Sequence, residues 1–245
     1  MHNDRTVDKA FKILRRNYSC PGLDGLSFRK IKENYSFHKS AVLEKYKTGA
    51  VNTLPIKRVQ IVDYGNRYRS IFVYCLYERW LQMYLKLQLE QKVNSIVADY
   101  VFGYRPGLDM KMLKEYAKTF SGRYILHIDL EKFFGNIDRK ILINHLKTNF
   151  GVEDSVLVRV SKSLSRTGRG LPQGNVLSPL LSNIYLSAFD NEFTKNYARF
   201  SDDLYFAIDK MGDEDTIIRQ LIPKLNRLGL SMNFQKIEVS SAERL

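Results

Sequence analysis

The chain is poor in cysteine and in long apolar runs, and each shortage excludes a class of protein. Its two cysteines, Cys20 and Cys75, lack metal-ligand spacing, so we expect reduced thiols in a cytoplasmic protein rather than a disulfide framework or a zinc site. No apolar run approaches the ~18 residues of a membrane span. The segment Met1–Asp4 is polar, and no apolar signal core follows it. We therefore expect a globular protein with no membrane span.

Acidic residues are also scarce. The 245 residues include 39 Lys and Arg against 26 Asp and Glu, a formal net charge of +13. Such an excess concerns partners and solubility rather than fold. Nucleic acid is the leading candidate and an anionic membrane surface the second, while solubility alone remains open. The 15 Tyr and 14 Phe favour nucleic acid, because aromatic rings among basic residues suit stacking on bases.

Two of the few acids are adjacent. Asp202 and Asp203 lie between the apolar runs Tyr197–Phe200 and Leu204–Ile208, which both have the composition of short strands. Adjacent carboxylates repel each other, and a divalent cation relieves that repulsion. Asp129 ends another predicted strand, although for this residue alone a helix cap or a salt bridge is equally open. Three acids on neighbouring strand ends are able to hold two Mg²⁺ ions for phosphoryl chemistry.

The strand that ends near Asp129 also predicts which side chains share a face. Alternation places His127 with Asp129 on one face and Ile128 with Leu130 on the other. A buried carboxylate needs a cation or several hydrogen bonds. We expect His127 to be packed or hydrogen-bonded rather than a metal ligand.

Two aromatic residues follow this strand. Of Phe133 and Phe134, we expect one to lie in the core, while the other is placed to wall a sugar pocket and exclude a 2′-hydroxyl. Farther along, Lys236 follows the last predicted strand, and a plain surface lysine is an open alternative to a functional one.

A basic hairpin and a polar loop complete the candidates. Strands over Leu54–Val62 and Tyr68–Val73, joined by a turn at Asp63–Asn66, bear four basic residues: Lys57, Arg58, Arg67 and Arg69. They form either an anion clamp for phosphates or a solvated edge strand.

The loop Leu171–Asn175 contains a glycine that permits close backbone approach and a glutamine with donors and acceptors. An ordinary loop is also open.

The remaining pattern alternates helices and strands irregularly, which favours an α+β fold. Predicted helices begin near Ser27, cover Tyr77–Lys92 and follow a cap at Asp138. A further helix is expected to be capped by Ser178 with Pro179 at its first position. The last predicted elements are a helix that Gly229 ends and a strand over Leu230–Phe234.

Taken in chain order, these segments resemble the motifs of reverse transcriptases, specifically of the prokaryotic group II intron-like superfamily. The resemblance covers Pro21 to Glu238 and rests on Pro21–Phe28, Arg67–Ile71, Ile128–Phe134, Leu171–Pro179, Phe200–Asp203, and Leu228–Asn233 followed by Lys236. Two departures stand out. Phe200 and Ser201 begin a box that the family writes Tyr-x-Asp-Asp, and Asp63 stands where the fingers motif often has lysine.

The resemblance implies a right-hand polymerase with fingers and palm, in which an antiparallel palm sheet packs on helices. Residues 1–122 are then mainly fingers and residues 123–245 mainly palm, interleaved around 140–175. Since the sequence stops nine residues after Lys236, we expect no thumb, either because the chain is trimmed or because a structured RNA or accessory protein supplies that function.

The resemblance also implies roles for particular residues. The implied metal ligands are Asp129, Asp202, Asp203 and the backbone carbonyl of Leu130. The implied nucleotide-binding residues are Arg67, Arg69, Phe133, Phe134, Gln173, Gly174 and Lys236. The implied template and primer contacts are Lys57, Arg58, Pro172, Asn175, Phe200 and Ser201.

The implied function is RNA-directed DNA synthesis. A DNA or RNA primer on an RNA template is extended with dNTPs through two Mg²⁺ ions, for which Mn²⁺ is a possible substitute. The alternative is a catalytically weak nucleic-acid-binding scaffold that retains the fold; the three acids argue against it, and Phe134 argues against an RNA-dependent RNA polymerase. Intron mobility, phage defence, a retron and diversity generation all stay open as settings.

Overall fold

The computed structural model describes residues 4–16, 21–63, 67–93 and 97–242, without the side chains of Asp4, Asp63 and Arg67. Cys20 and most of the turn predicted at Asp63–Asn66 lie outside this description. The chain forms two compact units. The first comprises residues 1–94 and 143–178, and the second comprises residues 95–142 and 179–245.

The elements combine helices with antiparallel strands, as in an α+β fold. The helices are α1 (Asp4–Arg16), α2 (Phe28–Glu33), α3 (Tyr35–Thr48), α4 (Leu76–Val93), α5 (Met110–Ala117), α6 (Phe133–Asn136), α7 (Arg139–Thr148), α8 (Asp154–Ser163), α9 (Ser178–Asp190) and α10 (Glu214–Arg227). The strands are β1 (Ile56–Asp63), β2 (Arg67–Tyr74), β3 (Tyr124–Asp129), β4 (Tyr197–Phe200), β5 (Asp203–Ile208) and β6 (Glu238–Ser241), with a 3₁₀ turn at Phe234–Lys236. Among the described residues, no helix has the length and apolar character needed to cross a bilayer.

Helix α4 is the centre of the first unit. It is buried on nearly all sides, as expected for a helix whose apolar residues surround its axis. The indole N–H of Trp80 donates to the carbonyl of Val7 over 2.9 Å, and the Trp80 ring packs on Phe11 with 4.6 Å between centroids. These contacts fix α1 against α4.

A buried carboxylate on α4 anchors the segment that leads into β1. Glu78 accepts hydrogen bonds from the backbone N–H groups of Asn52 at 2.7 Å and Thr53 at 3.0 Å. The ammonium group of Lys45 lies 3.0 Å from the same carboxylate. The charge of Glu78 is therefore paired and hydrogen-bonded, as a buried charge must be, and it holds the base of the β1–β2 hairpin.

The second unit contains a four-stranded sheet in the order β4-β5-β3-β6, and each neighbouring pair is antiparallel. Strand β3 alternates as predicted, because Ile128 is buried while His127 and Asp129 are partly exposed. The predicted cap is also present, since the Asp138 carboxylate accepts from the backbone N–H groups of Lys140 and Ile141.

The strand predicted over Leu230–Phe234 is wrong. This segment makes a single bridge, from Met232 to Leu130, and then turns. The N–H of Asn233 donates to the Asp129 carbonyl over 2.8 Å, and the N–H of Lys236 donates back to the Asn233 carbonyl over 2.9 Å. This turn diverts the chain, so the last strand of the sheet is β6.

The predicted cap at Ser178 is also wrong. Helix α9 begins at Ser178 itself. Its hydroxyl donates to the Pro172 carbonyl over 2.8 Å, which ties the start of the helix to the preceding loop. Pro179 is consequently the second residue of α9 and still within the turn that needs no N–H donor.

Candidate active site

Strand register places two of the predicted acids directly opposite each other. Asp129 of β3 pairs with Asp203 of β5. The N–H of Leu130 donates to the Asp202 carbonyl over 3.1 Å, which makes Asp129 and Asp203 a non-hydrogen-bonded pair. In such pairs the Cα atoms lie about 4.5 Å apart and the side chains share one face. Like charges in this position destabilise a sheet, so the arrangement favours a bound cation.

The third acid lies in the two-residue turn that joins β4 to β5. Phe200 pairs with Asp203, which leaves Ser201 and Asp202 as the loop. Ser201 has a φ of +61°, uncommon for a residue with a side chain. The guanidinium of Arg199 donates to the Ser201 carbonyl over 2.8 Å, and the Ser201 hydroxyl donates to that of Tyr104 over 2.9 Å. These contacts hold the turn in its strained form.

The three carboxylates influence one another electrostatically. Burial raises the pKa of Asp202, and the negative charges of Asp203 and Asp129 raise it further, against hydrogen bonds that lower it. The ionised form of Asp202 is therefore disfavoured in the folded protein. A positive charge placed among the three acids would reverse that effect.

Two of the acids have partners from the protein. Oδ1 of Asp129 lies 3.0 Å from the Lys236 ammonium and accepts from the Asn233 amide over 3.2 Å. Oδ1 of Asp203 lies 2.8 Å from Nε2 of His127, so His127 is hydrogen-bonded as expected. Within the described residues, no three His, Cys, Asp or Glu side chains converge closely enough to coordinate one ion.

The two phenylalanines after β3 occupy different environments. Phe133 is buried, with 2% of its surface exposed, whereas Phe134 is half-buried. The Phe134 ring meets the Tyr104 ring edge to face, with 6.1 Å between centroids. Phe133 is thus the core residue of the pair, and Phe134 is the one available to a ligand.

In the first unit, the predicted polar loop lies along the edge of β2. The N–H of Phe72 donates to the Gln173 carbonyl over 2.8 Å. Gly174 has a φ of +100°, and a Cβ on it would lie 2.2 Å from the Phe72 carbonyl oxygen. Only glycine fits this position, so the loop depends on it.

Two other residues of this loop are buried beneath it. Pro172 has little exposed surface, and the Asn175 amide donates to the Ser163 carbonyl over 2.9 Å. The Asn175 side-chain oxygen accepts from the N–H of Leu177 over 2.9 Å. The polar atoms of Asn175 are thus used within the unit, which favours a role in shaping the loop over the predicted contact with template.

The basic residues of the β1–β2 hairpin do not share one face. The register pairs Lys57 with Val73 and Arg58 with Phe72. Alternation then places Lys57 on the face of Arg69 and Arg58 on the other. The Arg58 guanidinium donates to the Ser70 hydroxyl over 2.8 and 3.0 Å. A clamp with all four side chains on one face is therefore excluded, because Arg58 lies on the face opposite to that of Arg69. The binding role of these residues stays a prediction.

Replacing Gly174 with alanine should destabilise the protein by about 1–3 kcal/mol, because both a left-handed backbone and a backbone clash are imposed at once. Urea unfolding measures the change. Gly168→Ala is the matched control, since Gly168 has a φ of +82° but nothing within 4 Å of the added carbon. Equal losses for the two variants would contradict the close approach to Phe72.

A buried ion pair that the sequence did not predict lies behind the β4–β5 turn. The Arg199 guanidinium and the Asp190 carboxylate are 0% and 1% exposed, and Arg199 donates to both carboxylate oxygens, over 2.8 and 2.7 Å. Burial lowers the pKa of Arg199, but Asp190 outweighs it and the pKa is raised. The Tyr197 hydroxyl also donates to Asp190, over 2.7 Å. The feature of the sequence that indicates such a pair is an arginine inside the apolar run Tyr197–Phe200, because a buried charge needs a partner.

Solved structures with a similar fold include telomerases. Apo telomerase of Candida tropicalis lacking its C-terminal domain superposes with a TM-score of 0.58 at 13% identity, covering 84% of this chain and 55% of that chain. Telomerase of Candida albicans in complex with a fragment of telomeric RNA gives a TM-score of 0.53 at 14% identity, covering 85% and 48%. The fold is therefore that of a right-hand polymerase with fingers and palm.

The family described as reverse transcriptase (RNA-dependent DNA polymerase) matches residues 61–244. The chain belongs to that family. Relatives include protein YkfC of Escherichia coli, 23% identical over 72% of this chain and 51% of YkfC. The group II intron-encoded protein LtrA of Lactococcus lactis is 26% identical over 68% of this chain and 28% of LtrA. The predicted group II intron-like affiliation is confirmed, and the chain spans about half or less of these relatives.

Proposed function

We propose that the protein is an RNA-directed DNA polymerase that extends a primer with dNTPs. The observation that supports this most is the register of β3, β5 and the β4–β5 turn, which gathers three carboxylates at one end of the sheet. We assign residues 1–122 mainly to the fingers and residues 123–245 mainly to the palm, with interleaving around 140–175.

The chemistry of the donor set fits magnesium, and binding would draw the three carboxylates closer together than they lie in this structure. Carboxylate and carbonyl oxygens are the ligands that Mg²⁺ and Mn²⁺ prefer, and here they are provided by Asp129, Asp202, Asp203 and the Leu130 carbonyl. When bound, two such ions supply activation of the primer 3′-hydroxyl and stabilisation of the leaving pyrophosphate. Asp129 would then exchange its contact with Lys236 for a metal, which frees the ammonium group for the leaving phosphates.

The other proposed residues bind and orient substrates. Phe134, half-buried beside Tyr104, walls the sugar side of the nucleotide pocket. Gln173 and Gly174, held against β2, contact the nucleotide and template, and Arg69 contacts the triphosphate. The +13 charge suits an RNA template and a primer, which are held largely through phosphates.

The decisive experiment is primer extension on an RNA template by the purified chain. Product should form with dNTPs and Mg²⁺, and chelation with EDTA should prevent it. A DNA template of the same sequence tests template choice. Binding of primer–template without extension in either Mg²⁺ or Mn²⁺ would contradict the proposal.

A second candidate function is a nucleic-acid-binding scaffold without efficient chemistry. It is favoured by the partners that Asp129 and Asp203 already have, since Lys236 and His127 satisfy these carboxylates without a metal. The two functions differ in one measurement. Divalent cations should raise the unfolding temperature of a polymerase that binds them in its folded state, whereas a scaffold with satisfied acids should not respond.

Phe134→Ala should weaken the preference for deoxyribonucleotides. Removing the ring leaves space for a 2′-hydroxyl, and differences of one group in an apolar pocket are worth about 10–200-fold in selectivity. The ratio of dGTP to rGTP incorporation efficiency measures this. Phe133→Leu is the control, because Phe133 lies in the core. An unchanged ratio in folded Phe134→Ala would remove this residue from the sugar pocket.

A further inference from the structure

The segment before Tyr104 is fastened to the strand that leads into the catalytic turn. The N–H of Phe102 donates to the Arg199 carbonyl over 2.8 Å, and the N–H of Arg199 donates to the Tyr100 carbonyl over 3.0 Å. The Asn183 amide donates to the Gly103 carbonyl, also over 2.8 Å. Strand β4 and helix α9 thus fix the backbone of Tyr100–Gly103, which directly precedes Tyr104.

This backbone lies directly against the turn. A Cβ on Gly103 would be 2.3 Å from the backbone nitrogen of Ser201, so the two segments touch without an intervening side chain. Tyr104 then adopts a φ of +61°. A left-handed non-glycine residue is strained and persists only where its surroundings impose it. Here two left-handed residues, Tyr104 and Ser201, lie in contact.

The Tyr104 side chain joins two parts of the proposed site. Its hydroxyl accepts from Ser201 over 2.9 Å, and its ring meets Phe134 edge to face at an interplanar angle of 82°. Burial raises the pKa of the Tyr104 hydroxyl, and although the Ser201 hydrogen bond lowers it, the charges of Asp202 and Asp203 raise it further. The residue is nevertheless 45% exposed, so part of it remains open to solvent.

We propose that Tyr104 is a positioning residue for sugar selection, because it sets the position of the Phe134 ring relative to the β4–β5 turn. This inference rests on the proposed function and adds a residue to it. The geometry divides the side chain into two parts with different effects: the ring supports Phe134, while the hydroxyl supports Ser201.

The test uses a primer ended by a dideoxynucleotide on an RNA template, so that nucleotide binding is measured without chemistry. The concentration of the next dNTP that retains the protein on this primer–template is measured, and so is that of the matching rNTP. The binding ratio is the ratio of these two concentrations. Tyr104→Ala should shift that ratio toward the rNTP by about tenfold, the lower end of what an apolar pocket provides. Tyr104→Phe keeps the ring and should keep the wild-type ratio.

Further variants separate positioning from general loss of structure. Met112→Ala is the control, because Met112 is an apolar residue of the same unit with a similar exposure of 44%. Tyr104→Leu replaces Tyr104→Ala if the latter does not fold. The double variant of Tyr104→Ala and Phe134→Ala should show no larger shift than Phe134→Ala alone, since residues that act through one contact are not additive.

The outcomes are distinguishable. An unchanged ratio in folded Tyr104→Ala and Tyr104→Leu, or additive shifts in the double variant, would overturn the inference while wild-type extension leaves the proposed function intact. A wild-type protein that neither extends a primer nor retains a nucleotide overturns both.

Discussion

Asp202→Asn should reduce primer extension by about 10³-fold or more while leaving the fold intact. A metal at a phosphoryl centre supplies several kcal/mol of transition-state stabilisation, and each 1.36 kcal/mol is worth about tenfold in rate. The substitution keeps the shape of the side chain but removes one of three neighbouring negative charges. Steady-state extension on an RNA template measures the loss.

The same substitution should not destabilise the protein in the absence of divalent cations. Because burial and the charges of Asp203 and Asp129 raise the pKa of Asp202, the stability associated with its protonated form is present below the unfolded pKa and is lost as pH rises through the folded pKa. At neutral pH the ionised carboxylate is a cost, which asparagine removes. The unfolding midpoint in EDTA should therefore stay equal or rise.

Asp209→Asn is the matched control, because Asp209 is exposed and follows the opposite end of β5. It should leave both extension and stability near wild type. Added Mg²⁺ should stabilise wild type and Asp209→Asn more than Asp202→Asn, since binding to the folded state is linked to stability. Undiminished extension by Asp202→Asn would remove this carboxylate from the mechanism.

The acids were predictable from the sequence because the feature that assembles them is local. Asp202 lies in a two-residue turn, Asp203 follows it, and Asp129 ends an apolar strand. Strand pairing alone therefore brings the three acids to one end of the sheet. The burial of Phe133 and Phe134 was harder to predict, because periodicity and composition do not indicate which of two adjacent rings enters the core. The structure assigns Phe133 to it.

Other features depend on tertiary contacts that no local pattern records. Leu230–Phe234 has the composition of a strand, but Asn233 bonds to the Asp129 carbonyl and turns the chain. The hairpin bases were predicted as one group, yet strand alternation separates Arg58 from the face of Lys57 and Arg69. Helices α3 and α8 were not predicted, and few of their residues are buried.

The buried pair of Arg199 and Asp190 was the largest omission, because its two members are read separately in a sequence. Arg199 lies within strand β4 and Asp190 ends α9, and only the fold brings their side chains to 2.7 Å. Its position behind Ser201 connects the stability of the second unit with the geometry of the β4–β5 turn.

Asp190→Asn should cost about 3–5 kcal/mol of unfolding free energy, since breaking a buried ion pair leaves an uncompensated buried charge. The Arg199 guanidinium is completely buried, and Asp190 accepts from it twice and from the Tyr197 hydroxyl once. Urea unfolding measures the loss. Glu192→Gln is the control: its partner Lys224 is partly exposed, and such pairs are worth at most about 1 kcal/mol.

Replacing the group as a whole should separate stability from turn geometry. Arg199→Met with Asp190→Leu and Tyr197→Phe removes the charges together with the hydroxyl that bonds to them, and buried pairs replaced by apolar residues are often neutral in stability. The Ser201 carbonyl would still lose its donor. We therefore expect the triple variant to recover much of the stability that Asp190→Asn loses, yet to extend primers poorly. Recovery of both would show that the pair stabilises the unit without positioning the turn, and a loss from Asp190→Asn no larger than from Glu192→Gln would contradict its burial.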